Sequence, residues 1–110
     1  MSEIRVAEYL DSSGRSPFRR WFDDLDATAA AKVSAGLYRL GQGNFSNVKG
    51  VSGGVSEHRI DCGPGYRVYF GKDGPTYVIL LGGGTKKRQS GDISAAADAW
   101  IDYKRRKPAR

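Results

Sequence analysis

Apolar and polar residues alternate over residues 4–10 and give way to Asp11-Ser12-Ser13-Gly14, which predicts a short strand closed by a turn. Ser16 and Pro17 then supply an N-cap and a first helical residue. Phe18, Phe22 and Leu25 recur at i, i+4 and i+7, with Arg19, Arg20, Asp23 and Asp24 on the other side, so the spacing predicts an amphipathic helix. Asp26 caps a second helix, in which Ala29, Val33, Leu37 and Leu40 repeat until Gly41 and Gly43 stop the pattern. So few residues separate the two helices that they must form a hairpin or a sharp corner.

Residues 42–54 are rich in turn formers, Asn44, Asn47, Gly50, Gly53 and Gly54 among them, and predict an exposed loop. Three strand-like runs follow, at residues 55–62, 66–71 and 76–81. Gly63-Pro64-Gly65 and Lys72-Asp73-Gly74-Pro75 separate them, and connections this short impose antiparallel hairpins. Residues 77–81 are apolar throughout, as in a central strand buried on both sides, and Gly82-Gly83-Gly84 ends them. A last helix is expected from about Asp92, capped by Ser90 or Asp92, with Ile93, Ala97, Trp100, Ile101 and Lys104 on one stripe. With no internal repeat and no linker composition, residues 1–110 read as one α+β domain, its helices on one face of an antiparallel sheet.

The charge balance adds a partner class. The chain carries a net charge of +6, and its cations gather at Lys86-Lys87-Arg88 and at Lys104-Arg105-Arg106-Lys107 with Arg110. The first group suits a polyanion. The second reads as a frayed basic tail over residues 104–110, where cations complement the helix dipole. Glu3, Arg5 and Glu8 leave the first ten residues without the apolar run of a signal peptide, and no stretch approaches the roughly 20 apolar residues of a membrane span. Cys62 and His58 are the only residues of their kinds, too few for a disulfide or for a cysteine- or histidine-based metal cluster. A cytoplasmic protein without metal, cofactor or membrane partner is expected.

Alternation sorts the sheet's faces. If Ile60, Val68 and Phe70 point to the helices, Arg59, Arg67 and Tyr69 share the opposite surface. Lys86 and Lys87 follow the central strand at one rim, and Lys49 lies in the preceding loop at another. Guanidinium groups hold phosphate through paired hydrogen bonds, an aromatic ring stacks on a base, and a lysine set among cations gives up its proton more readily. Such a lysine can act as a general base. A plain solvated strand face, with the arginines paired to Glu57 or Asp61, is the alternative. His58 shares the parity of Ile60 and reads as structural, and Gly82-Gly83-Gly84-Thr85-Lys86 lacks both the spacing and the parallel βα setting of a phosphate-binding loop.

Three segments together carry a family resemblance: Glu57-His58-Arg59-Ile60; Gly63-Pro64-Gly65-Tyr66-Arg67-Val68-Tyr69-Phe70; and Leu80-Leu81-Gly82-Gly83-Gly84-Thr85-Lys86-Lys87-Arg88-Gln89 with Asp92-Ile93 and Ala96. From about Tyr9 to Arg106 the chain resembles the phage-derived, HigB-like "addiction module killer protein" branch of the RelE/ParE toxins. The resemblance implies a RelE-like fold, in which an N-terminal strand and a helical hairpin pack on an antiparallel sheet with a C-terminal helix. It further implies a toxin whose antitoxin, a small helix-turn-helix protein, is encoded next door. The activity implied is ribosome-dependent cleavage of messenger RNA, without metal, by attack of the RNA 2′-hydroxyl on the adjacent phosphate. By the same resemblance Arg59, Arg67, Tyr69 and Lys86 are catalytic, and Lys49, Lys87, Arg88 and Gln89 contact RNA. His58, Thr85 and Lys87-Arg88 depart from the family's usual residues, the last two adding positive charge beside Lys86. A ParE-like gyrase poison and a non-catalytic nucleic-acid binder are the alternatives.

Overall fold

The computed structural model describes residues 4–107. Strand β1 (Arg5–Glu8) leads into helix α1 (Pro17–Asp23), where the Ser16 hydroxyl accepts a hydrogen bond from the Arg19 N–H at 3.0 Å. Helix α2 (Ala27–Gly41) is capped in the same way, the Asp26 carboxylate accepting from the Ala29 N–H at 2.8 Å. Four strands follow: β2 (Val48–Ser52), β3 (Val55–Ile60), β4 (Tyr66–Asp73) and β5 (Tyr77–Thr85). A single 3-10 turn (Lys86–Arg88) then opens onto helix α3 (Gln89–Arg106).

The fold is α+β, with a five-stranded sheet in the order β1-β5-β4-β3-β2. Three expectations need correction. Residues 42–54 are not all loop, because Val48, Lys49 and Gly50 pair with His58, Glu57 and Ser56 as an edge strand. The sheet is mixed rather than antiparallel, since β1 runs parallel to β5. The two helices between β1 and the rest of the sheet provide the crossover that a parallel pairing needs.

The third correction concerns layering. Helices α1 and α2 cover one face around Phe18, Val33, Leu40, Ile60, Val68, Phe70, Val78 and Leu80, while α3 covers the other around Val55, Tyr69, Ile79, Leu81, Ala96, Ala99 and Trp100. Val78, Ile79, Leu80 and Leu81 are all buried, as befits a strand lying between two others with helices above and below. Tyr69 pairs with Gly82 and Phe70 with Leu80, so Leu81 is an extra residue, a β-bulge that lets Leu81 and Gly82 face α3 together. The strand continues through the glycines to Thr85 because they leave room for what covers them. A Cβ on Gly83 would overlap the Trp21 indole of α1, and one on Gly84 would overlap the Asp92 carboxylate of α3. Asp92 is thus a cover for the sheet rather than the first cap of the helix.

Helix α3 buries Ala96, Ala99 and Trp100, with Ile93 and Tyr103 packed beside them, whereas Ile101, expected on the inner stripe, is 56% exposed. Trp100 lies on Gly71, where an added Cβ would stand 2.5 Å from the ring. Its indole stacks on Tyr103 at 5.4 Å, and the Tyr103 hydroxyl donates to Asp73 at 2.7 Å. Helix α3 takes in part of the stretch expected to fray, as far as Arg106. Lys104, Arg105 and Arg106 belong to α3; Arg106 donates to Asp102 and to the Leu10 carbonyl at 2.6 Å, and Lys107 donates to Asp73 at 2.9 Å. Arg110 lies outside the described residues.

His58 is buried beneath α2, away from the arginine face, and neither ring nitrogen has a hydrogen-bond partner. A Cβ on Gly36 would come 2.9 Å from its Nε2, so glycine at that point of α2 is what admits the ring.

Two stability predictions follow from these contacts. Gly83→Ala should cost about 1–3 kcal/mol by forcing Trp21 out of place, measured as a lower urea midpoint. Burial, with the Arg39 charge nearby, holds His58 below its ordinary value of 6.5, so the folded state keeps it neutral while the unfolded chain takes up a proton. Its contribution is therefore fully present above about pH 6.5 and is lost as pH falls through the lowered folded value, by at most about 1.4 kcal/mol per pH unit. Urea titrations between pH 7.5 and 5 should show this decline in the native chain and not in His58→Leu.

Candidate phosphate-binding hollow

Parity and register bring two arginines side by side. Arg59 on β3 pairs directly with Arg67 on β4, and Gly84 of β5 is the next partner of Arg67 in the same row. Asn47 completes the row at the sheet's edge, its carbonyl accepting from the Arg59 N–H at 3.0 Å. All of these side-chain positions lie on the α3 face. Helix α3 lies over β5 and β4, and Gln89, at its start, reaches as far as Glu57. The end of the row is left open.

What remains open is a hollow of about 260 Å³ lined by Asn47, Arg59, Asp61, Tyr66, Arg67 and Lys86, with Gly65 and Ile60 completing its wall. Lys86 arrives through the strand-to-helix turn, which the Lys86 N–H fastens to the Gly65 carbonyl at 3.0 Å. Three cationic side chains and one carboxylate line it, an arrangement suited to an anion.

Beneath the hollow lies Glu57, fully buried. One carboxylate oxygen accepts from Arg67 Nε at 3.3 Å and the other from Gln89 Nε2 at 2.9 Å. Arg67 is itself 11% exposed along its side chain, so this ion pair is largely out of water, whereas Arg59 and Lys86 are solvent-accessible. The pairing of Arg67 with Glu57 and its place in the hollow are compatible: Nε serves the carboxylate, and the two terminal nitrogens of the guanidinium remain for a ligand.

Of the residues expected to act, the structure brings Arg59, Arg67 and Lys86 together. Tyr69 has the expected parity but not the expected exposure. It lies in the core under α3 with its hydroxyl buried and unpartnered, because α3 covers that part of the face. Desolvation first, and the Glu57 and Asp92 carboxylates second, push its phenol up to about 12, and it can neither stack on a base nor exchange protons near neutrality. Gln89 is committed to Glu57 rather than displayed to solvent. Lys87 and Arg88 are exposed on the 3-10 turn, and Lys49 is exposed on β2 opposite Glu57, all outside the lining of the hollow.

Asn47, Asp61 and Tyr66 border the hollow without standing among the residues the sequence pattern singles out. Tyr66 stands opposite Ile60, and alternation directs its side chain to the α1 face, where the ring meets the Trp21 indole edge-on at 6.2 Å; the residue borders the hollow from the start of β4. Glu57 carried a signal in its spacing, one residue of opposite parity from His58 and two from Arg59. Its burial could not be read without α3.

No protein-family model matches the chain. It is 45% identical over 80 residues to an uncharacterized protein of Haemophilus influenzae, an alignment taking in 72% of this chain and 81% of that relative, and it belongs to the same family as that protein. No helix among the described residues is long and apolar enough to cross a membrane.

The burial of Glu57 separates the two arginines experimentally. Arg67→Ala strands a buried carboxylate and should lower the unfolding free energy by on the order of 3 kcal/mol. Arg59→Ala, at an exposed position, should leave the urea midpoint nearly unchanged.

Proposed function

We propose that the chain is the toxin of a type II toxin–antitoxin pair, a RelE-like endoribonuclease that cuts messenger RNA on the ribosome. The observation that carries this reading is the convergence of Arg59, Arg67 and Lys86 on one hollow of nucleotide-like size. The order of strand, helix pair, strands and C-terminal helix supports the RelE-like assignment. The net charge of +6 suits a ribosome-bound substrate.

In the proposed reaction the 2′-oxygen attacks the adjacent phosphorus and loses its proton, the P–O5′ bond breaks, and the 5′-oxygen takes up a proton. The products are a 2′,3′-cyclic phosphate and a 5′-hydroxyl. Arg59 and the terminal nitrogens of Arg67 stabilise charge on the phosphorane, the kind of fixed donors that contribute most to such reactions. Lys86, the one amine lining the hollow, receives the 2′-hydroxyl proton; Lys49 lies too far round the sheet edge to share that lining. Lys49, Lys87 and Arg88 extend the positive rim along the RNA backbone. The partner that silences the toxin is a helix-turn-helix antitoxin encoded beside it, and the compartment is the cytoplasm.

Arg59→Ala should lower cleavage on translating ribosomes by about 10²–10³-fold and abolish growth arrest, in a fold of native stability. Lys86→Arg keeps the charge but cannot surrender a proton, and should lose cleavage while retaining RNA binding. Messenger RNA left intact by the native chain, together with inhibited DNA supercoiling, would replace this reading with gyrase poisoning.

A further inference from the structure

We infer that Glu57 is the positioning residue of the hollow, its buried carboxylate setting both the Arg67 guanidinium and the first turn of α3 in place. The inference rests on the proposed reading for its chemistry and on the hydrogen-bond geometry for its assignment. A carboxylate with no exposed surface in the middle of a sheet is costly unless both oxygens are satisfied. Here each oxygen has one partner, and the two partners come from different layers: Arg67 from β4, Gln89 from α3.

The register explains the reach. Glu57 stands opposite Tyr69 on β4, so Arg67, two residues earlier, is its diagonal neighbour on the same face. The Tyr69 ring, fully buried beside it, keeps that side of the carboxylate dry. Gripping Arg67 by Nε orients the plane of the guanidinium and leaves its terminal pair free for the two-pronged recognition of phosphate. A long, many-rotamer side chain is thereby ordered before any ligand arrives. Gln89 follows the Lys86–Arg88 turn directly, so its bond to the other oxygen also fixes where the cationic turn leaves β5. One buried group therefore registers two walls of the hollow against each other. Glu57 itself does not line the hollow, which is why its role is positional rather than catalytic.

The test is a hydrogen-bond reversal. Glu57→Gln retains an oxygen for Arg67 and an amide that Gln89 can meet by turning its own, but removes the buried charge that holds the guanidinium. The double variant Glu57→Gln/Gln89→Glu restores a carboxylate–amide pair while moving the negative charge from Arg67 to α3. Glu57→Gln should cut kcat for cleavage on ribosomes at least tenfold with KM within about twofold, and the double variant should recover Tm without recovering kcat. Recovery of kcat in step with Tm would overturn the inference, because a purely structural carboxylate predicts it; the double variant also decides the matter if Glu57→Gln alone does not fold. A second arm needs no turnover: the Arg67 Nε–Hε NMR signal, followed during titration with inorganic pyrophosphate. Should the native chain cleave no RNA, pyrophosphate bound at least tenfold more weakly by the double variant, with that signal shifted or broadened, would uphold the positioning role and remove only the nuclease reading. Equal affinity and an unmoved signal would remove the positioning role.

Discussion

Two indole rings lying directly on glycine backbone hold the three layers of this protein together. Trp21 of α1 rests on Gly83 from one side of the sheet, and Trp100 of α3 rests on Gly71 from the other. A large aromatic surface buried at van der Waals distance from a strand is available only where the strand has no Cβ. The second contact has consequences beyond stability. With Trp100 seated at Gly71 and Tyr103 bonded to Asp73, the helix reaches back over the sheet as far as Gln89, and the row beyond its first turn is left open. The hollow exists because the helix is anchored at its far end.

Electrostatics grade smoothly from that anchor to solvent. Deep under the start of α3, Glu57 and Arg67 neutralise one another in a setting where an unpaired charge would be costly. Beside Arg67 in the same row, Arg59 carries charge into water, as does Lys86 past the end of β5, and Lys87 and Arg88 extend it over the turn. A cation held rigidly by a buried acid, next to cations free to follow a ligand, combines a fixed anchor with a compliant rim. His58 is kept apart from this set. It sits one residue from Glu57 on the strand and therefore on the opposite face, where it meets α2 and contributes to stability rather than to the hollow.

Much of this was legible before any coordinates. The Ser16 and Asp26 caps act where their spacing placed them, and period-two alternation on β3 and β4 correctly sent Arg59 and Arg67 to one face and Ile60 and His58 to the other. Those features depend on a few neighbouring residues. The misread features depend on distant ones. Val48–Ser52 looks like loop because two glycines follow it and its strand character comes from pairing with β3. Tyr69 has the parity of a surface residue and is buried only because a helix more than twenty residues later lies over it. Gln89 looks like an exposed polar group until Glu57 is found beneath it.

Local order and side-chain parity, then, belonged to the chain's own pattern, since they follow from the fixed periods of helix and strand and from capping groups within reach of their own backbone. Which face is covered, how far the cover extends, and which charges are dry were decided by the path of α3 across the sheet. That path is set by the Trp100 ring lying on Gly71, some thirty positions away, as α1 is set on the other face by Trp21 on Gly83, and no local pattern encodes how such surfaces will meet. The same three cations would be scattered surface charge on an uncovered sheet, and they form a site because the helix stops where it does.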